Sequence, residues 1–415
     1  MSKISSFFTN IRFAPNLAFW VVVDLIILFS VLSFGYNFIV TWTELSVLTE
    51  NGNEFSLLAD GFLHGRLDLS KYPGKSLDCS LSHGRCFWAL GPWPAVLLLP
   101  FVGIFKIFSA AFYQGYMNFF LGFLVLWLCY RLAKKLAYSQ TDALWLALTF
   151  TFGSIFIGCL FRPLSWYFSQ TVAVALIFLA LAEWQGKKRH GLIGLCLALC
   201  LATRLTAALG VIFFLLDIIF SPASAREKAK ALLWLLAPLA ASGLLLGLYN
   251  YARFGSFWET GYGLALVGWA YMAQIREQYG LFNPAFFLTN LYYYFFKTLE
   301  PVLGRGYFLV MPYFRVSPLG LSFFIISPIF LRIFWADHRE RAVKFSWAAT
   351  FPVLAVLLCY YNSGAWQFGP RYMLDFLPFW YLLLLYSFKD RCLHFRHYAL
   401  ITASVAFDLV LYLNF

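Results

Sequence analysis

Apolar residues in this chain neither alternate nor gather in short blocks. They run on for about 17 to 25 positions at a time, the length at which a helix crosses the ~30 Å hydrocarbon layer of a bilayer. Each run closes on a short polar stretch rich in Lys and Arg or on a longer one rich in Tyr, Gly and Pro. Spans are expected near 17–40, 114–131, 142–160, 168–184, 190–203, 205–221, 229–249, 312–331, 342–360, 374–388 and 397–414, about eleven transmembrane helices on the same length criterion. A twelfth apolar run, 91–108, carries Pro92, Pro94 and Pro100. Earlier in the chain Phe55, Leu57, Leu58, Phe62 and Leu63 recur at helical spacing, which predicts an amphipathic helix over 53–64 lying at a membrane surface and ended by Gly65.

Composition turns this pattern into a class. Hydrophobic residues make up 61% of the chain and charged ones 12%, with 48 Phe, 15 Trp and a mean hydropathy of +0.73. So much apolar surface cannot be hidden in a water-soluble core of 415 residues. The chain reads as an all-α integral membrane protein, and no linker, low-complexity tract or repeat divides 1–415 into more than one domain.

The net charge of +12 sits mostly in short inter-helix loops: Lys3 and Arg12, then 131–135, 187–189, 226–230, 332–344 and 389–396. Cytoplasmic loops collect such residues, so the charge reports orientation and gives no single basic face for a nucleic acid. Were 91–108 a span, "RLAKK" would be thrown outside, so that run is expected to be a Pro-broken interfacial or re-entrant helix. The N-terminus is then cytoplasmic, the first span stays as an uncleaved anchor, and the outer segments are 41–113, 250–311 and 361–373. A bacterial inner membrane fits this arrangement. Cys129, Cys159, Cys196, Cys200, Cys359 and Cys392 lie in or at the ends of spans as small buried residues. Cys79 and Cys86 flank "SLSHGR" on the oxidising side, where a disulfide is expected in preference to two free thiols. A zinc site using His64 or His83 lacks the usual four-ligand spacing.

Candidate chemistry gathers at the outer boundary. Glu50, Glu54 and Asp60 sit on or just before the amphipathic helix, where a general base acting on a lipid-linked substrate has to be. The segment 250–311 mixes an aromatic belt with Arg253, Glu259, Arg276, Glu277, Lys297 and Arg305, an apolar wall with a few charges suited to an amphiphile. Arg162, Arg204 and Arg371 stand near span ends, and Arg204 marks the tip of a hairpin over 190–221. In "YNSGAWQFGPRYMLDFLPFW" Pro370 suits the first turn of a helix, so Arg371 and Asp375 at i and i+4 are expected to share a face. A guanidinium offers a planar fork to a phosphate, so Arg371 and Arg204 are the phosphate-binding candidates, with Asp375 orienting Arg371.

At these residues the chain resembles the multi-pass, polyprenyl-phosphate-sugar-dependent glycosyltransferases of the GT-C type, similar to the bacterial relatives of protein O-mannosyltransferases and aminoarabinose transferases. The resemblance runs from Glu50 to about Pro378, through "LLADGFLHGRLDL", "LDCSLSHGRCFWALGPWPAVLLLPF", "YNYARFGSFWETGYG" and "WQFGPRYMLDFLPF". It implies a GT-C-like fold, a sugar donor on polyprenyl phosphate, an acceptor at the outer face, and inversion at the anomeric carbon without a cofactor. The family's acidic base early in the first outer loop falls at 50–54, where "ENGNE" has glutamates in place of aspartate. Glu54 is the first choice, with Asp60 and Glu50 also open. Asp78 matches a recurring acidic position, and Tyr262, Trp366, Gln367 and Tyr372 lie in the matching motifs as substrate-binding candidates with Arg253 and Glu259. Two rival classes are a transporter or flippase of lipid-linked sugars, and a catalytically inert membrane scaffold.

Overall fold

The computed structural model of the protein describes residues 20–24, 53–70, 79–161, 164–266, 270–365 and 367–414. Its elements in chain order are α1 (Glu54–Leu63), the strands β1 (Cys79–Ser82) and β2 (Arg85–Trp88), and α2 (Trp93–Ile107). Next come α3 (Gln114–Lys135), α4 (Gln140–Thr151), α5 (Ser165–Trp184), α6 (His190–Leu201), α7 (Ala225–Phe254) and α8 (Phe287–Phe295). The chain closes with β3 (Glu300–Leu303), β4 (Leu309–Arg315), α9 (Arg341–Leu358), α10 (Leu377–Tyr386) and α11 (Phe395–Asn414), among further helical segments that include Val211–Ile219 and Ala270–Tyr279.

Among the described residues four helices, α3, α5, α7 and α9, are long and apolar enough to cross a membrane by length and composition. They differ in how they are used. The apolar window of α5 is 83% buried by the rest of the chain, whereas that of α7 is 11% buried. A 30-residue helix is about 45 Å long, and one this apolar and this uncovered needs lipid or another apolar surface around it. Local sequence sets its ends. The Ser224 hydroxyl accepts the Glu227 N–H while the Glu227 carboxylate accepts the Ser224 N–H, a capping box, and Gly255 at φ +71° closes the other end in the left-handed conformation that glycine tolerates.

The helices run alternately between two ends of a bundle. At one end the basic loops meet: Lys135 Nζ donates to Gln185 O (3.2 Å), Lys188 pairs with Asp217 (3.2 Å), Tyr138 OH donates to Leu385 O (2.6 Å), and Arg341 Nη1 donates to Phe220 O (2.8 Å). At the other end the polar loops meet: Gln114 N donates to Ser56 Oγ (2.9 Å), Trp93 N to Ala202 O (3.0 Å), Arg253 Nη1 to Trp88 O (2.7 Å), and Asn290 Nδ2 to Leu358 O (2.9 Å). Trp93 and Gln114 flank α2, so the segment between them leaves and returns at the same end. With 15 residues, α2 is about 22 Å long, short of the hydrocarbon layer. Pro100 lies inside it without breaking it, which corrects the expected Pro-broken helix.

Three further expectations change. The run 312–331 is not a helix: β4 pairs antiparallel with β3 from Glu300↔Arg315, and the chain then goes through short turns to Trp335. Pro312, Pro318 and Pro328 withdraw backbone donors, and Glu300 fixes the hairpin by accepting from both Lys297 Nζ (2.6 Å) and Arg315 Nε (3.0 Å). Among the described residues the chain is therefore mainly helical, with two two-stranded sheets added to the helices of the expected all-α fold. The runs 142–160 and 205–221 are each broken, at 152–155 and 209–210. Ser154 turns the first break by donating to Phe150 O (2.6 Å) and accepting from Phe156 N (3.2 Å). Most of the expected span 17–40 lies outside the described residues.

Candidate active site at the polar end

The site is framed by a break in the chain between α6 and the short helix Leu205–Ala208. The loop after β2 lies directly on this break: a Cβ on Gly91 would stand 2.2 Å from Ala202 O, so only glycine lets the two backbones approach. Arg204 caps the following turn and is 8% exposed. Its guanidinium grips Asp375 as a fork, Nε to Oδ1 at 2.7 Å and Nη2 to Oδ2 at 3.0 Å, and Thr206 Oγ1 also donates to Oδ2. Asp375 is thus a partner of Arg204 and does not orient Arg371. The reason is local: Arg371–Asp375 is a 3-10 turn, and at three residues per turn positions i and i+4 diverge by about 120°.

Arg371 is left in an unusual state. It is 7% exposed, and its guanidinium lies between the rings of Tyr167 (4.9 Å) and Tyr372 (4.8 Å). Its Nε and Nη1 are buried and donate to no acceptor among the described residues. The backbone around it is fixed: Gln170 Nε2 donates to Arg371 O (3.1 Å), while the Gln367 side chain accepts from Arg371 N (3.4 Å) and donates to Ser363 O (3.0 Å) and Leu319 O (3.1 Å). A small pocket opens beside the guanidinium, lined by Ile155, Gly158, Tyr167, Gln367, Phe368 and Gly369. A side chain at Gly158 would run into the Phe368 ring at 2.7 Å. The Tyr372 ring also stands 5.6 Å from the Arg204 guanidinium, so one aromatic face serves both arginines. Tyr262 acts electrostatically on Arg204 from the neighbouring loop.

The carboxylates of the first loop separate. Glu54 opens α1 and is 3% exposed. Its neighbour Phe55 packs edge-on against Trp88 (5.9 Å) and Phe168 (6.0 Å), and Phe168 follows Tyr167 at the start of α5. The helix bearing Glu54 therefore abuts the part of α5 over which Arg371 lies. Asp60 faces α2 instead, where Lys106 Nζ sits 2.5 Å from Oδ1 and Arg66 is 3.7 Å away. Arg253 spends its guanidinium on Trp88 O (2.7 Å) and Asn250 Oδ1 (2.8 Å) under the Tyr249 ring (3.9 Å); it fastens the first loop to α7. Glu259 accepts from Gly261 N (2.7 Å), and Ser80 Oγ donates to Gly261 O (2.7 Å). Cys79 and Cys86 are joined by a disulfide across the β1–β2 hairpin. Glu50, Asp78, Trp366 and Arg162 lie outside the described residues.

Sequence reasoning missed Tyr167, Gln170 and Thr206. Gln170 near the start of the expected span 168–184, and Thr206 two positions after Arg204 in "LATRLTAAL", were the available signals, since polar groups at membrane depth seek partners. Among the described residues no group of three or more His, Cys, Asp or Glu is arranged to hold a metal ion.

No family model matches the chain, and no curated protein does. Among solved structures it is similar to the crystal structure of the Archaeoglobus fulgidus oligosaccharyltransferase in the apo form, at 15% identity and a TM-score of 0.44. That likeness covers 97% of this chain and 55% of the oligosaccharyltransferase chain, so the protein spans about half the length of its structural neighbour. At this score the likeness carries no argument for what the site does.

Proposed function

We propose that this protein is a membrane glycosyltransferase of the GT-C type that moves a sugar from a polyprenyl-phosphate carrier to an acceptor at the outer face of the membrane. The observation that carries the reading is Arg371: a buried guanidinium with two donors unspent, held between two tyrosine rings, whose nearest acidic residue in sequence is taken by another arginine. Burying such a cation is costly without an anion, and the planar fork fits a phosphate oxygen pair. In this reading the acceptor hydroxyl loses its proton to Glu54 and attacks the anomeric carbon. The bond from that carbon to the carrier phosphate breaks, the configuration inverts, and the departing phosphate takes its hydrogen bonds from Arg371.

Arg204, Thr206 and Asp375 act as positioning residues that set Tyr372 against Arg371. Asp60, engaged by Lys106, is the weaker candidate for the base. The gathering of basic loops at one end supports reading that end as cytoplasmic and the site as lying on the outer, periplasmic side of a bacterial inner membrane. The test is transfer of labelled sugar from a panel of defined polyprenyl-phosphate-sugar donors by the purified full chain. Transfer from at least one donor supports the reading. A chain that binds these donors and carries them across a vesicle membrane without transferring the sugar is a flippase.

A further inference from the structure

At the basic end of the bundle, far from Arg371, α11 begins with an arrangement that its own sequence does not balance. The first turn of this 20-residue helix contains no acidic residue, and His394, Arg396 and His397 crowd its start. Cations at the positive end of a helix dipole are unfavourable. Arg396 is such a cation, and Arg332 adds another, standing 4.7 Å over the Phe388 ring, against which His397 packs edge-on at 5.0 Å. Arg332, Arg396 and His394 all act electrostatically on His397, with Asp142 opposing them. Asp142 is already occupied by Ser139 Oγ (2.8 Å), Tyr398 OH (2.5 Å) and Leu393 N (3.3 Å).

His397 gives the second, independent observation. It is 5% exposed, and its Nδ1 accepts the His394 N–H at 3.0 Å. With Nδ1 as acceptor the proton lies on Nε2, and Nε2 is buried without an acceptor among the described residues, as is Nε of Arg332. The Nε2–H of His397 and the Nε–H of Arg332, two buried donors with no acceptor among the described residues, together with the guanidinium of Arg396 at the start of α11, are groups a phosphate can satisfy.

We propose that Arg332, His394, Arg396 and His397 form a phosphate-binding site at the N-terminus of α11, separate from the Arg371 site. Its ligand chemistry is an anionic phosphate, supplied by the headgroup of an acidic phospholipid in the adjoining leaflet or by soluble phosphate. Basic pockets between membrane helices take such headgroups.

The experiment is native mass spectrometry of the purified full chain in detergent with added phosphatidylglycerol, repeated with phosphatidylcholine and with excess inorganic phosphate. Phosphatidylglycerol should be retained over phosphatidylcholine, and Arg396→Gln, at an exposed position, should weaken retention about tenfold, the scale of one charge-assisted hydrogen bond. Arg332→Gln should do the same. Displacement of the lipid by inorganic phosphate assigns the site to the soluble ion; retention against it assigns the site to the lipid. The proposal is overturned if neither ligand binds, or if the wild type and the Arg332→Gln/Arg396→Gln double variant retain phosphatidylglycerol equally.

Discussion

Asp375 separates a structural from a catalytic role. It is 1% exposed and is held by Arg204 and Thr206, so Asp375→Asn removes the charge that compensates a buried guanidinium. Thermal unfolding in detergent should show a loss of about 3–5 kcal/mol, the cost of orphaning one member of a buried pair; an unchanged midpoint would mean that the pair is not formed. The first-loop carboxylates differ in kind. Glu54→Gln keeps the shape of a buried side chain but cannot accept a proton, and it should slow sugar transfer about 100-fold. Asp60→Asn should leave turnover nearly intact while loosening the Asp60–Lys106 contact between α1 and α2, and a transfer assay that ranks the two the other way moves the base to Asp60. Arg204, Arg371 and Asp375 were all legible as residues, because charges in so apolar a chain stand out. Their pairing was not. An i, i+4 spacing reads as a shared helical face, and nothing in "PRYMLD" announces that the turn is 3-10 or that Arg204, 171 positions away, will claim the carboxylate.

At the scale of elements, apolar periodicity was a good guide to where helices are and a poor one to whether they are continuous. The segments over 54–63, 93–107, 114–135 and 225–254 stand close to their expected positions. The breaks depend on tertiary hydrogen bonds such as those of Ser154, and a hydropathy pattern does not contain them. The hairpin of β3 and β4 was hidden for the same reason, because "LVMPYFRV" reads as apolar until Glu300 is known to face Arg315. Glu300 also gives this hairpin a pH dependence. Its hydrogen bond from Lys297 is the largest influence, and with Arg315 it holds the carboxyl below its ordinary value. A depressed folded-state value means that the stabilisation is present above the unfolded pKa, about 4.3 for Glu, and is lost as pH falls through the folded value. Protection factors of the amides over 300–315, taken against the intrinsic exchange rate at each pH, should therefore be high at neutral pH and fall below about pH 4, while Glu300→Gln shows the lower protection at neutral pH. Identical exchange in the two proteins at neutral pH would remove Glu300 from the account.

For the whole molecule, the distribution of charge carried most of the information. The clusters over 131–135, 187–189, 226–230, 332–344 and 389–396 come together at one end, and the candidate site lies at the other. Reporter fusions after Leu90 and after Phe108 should both report the outer side, and one after Lys135 the cytoplasmic side; opposite sides for the first two would split the site across the membrane. What the sequence could not convey is which loops meet within the polar end, since the approach of 88–93 to the Ala202 carbonyl and of Phe55 on α1 to Phe168 are products of packing. The central claim is that Arg371 receives the donor phosphate, and binding of a labelled polyprenyl-phosphate-sugar to the purified Arg371→Lys variant tests it most directly. Lysine keeps the charge and loses the fork, so affinity should fall about tenfold or more, while Glu54→Gln binds the donor as the wild type does; wild-type donor affinity in both Arg371→Lys and Arg371→Ala would contradict the account.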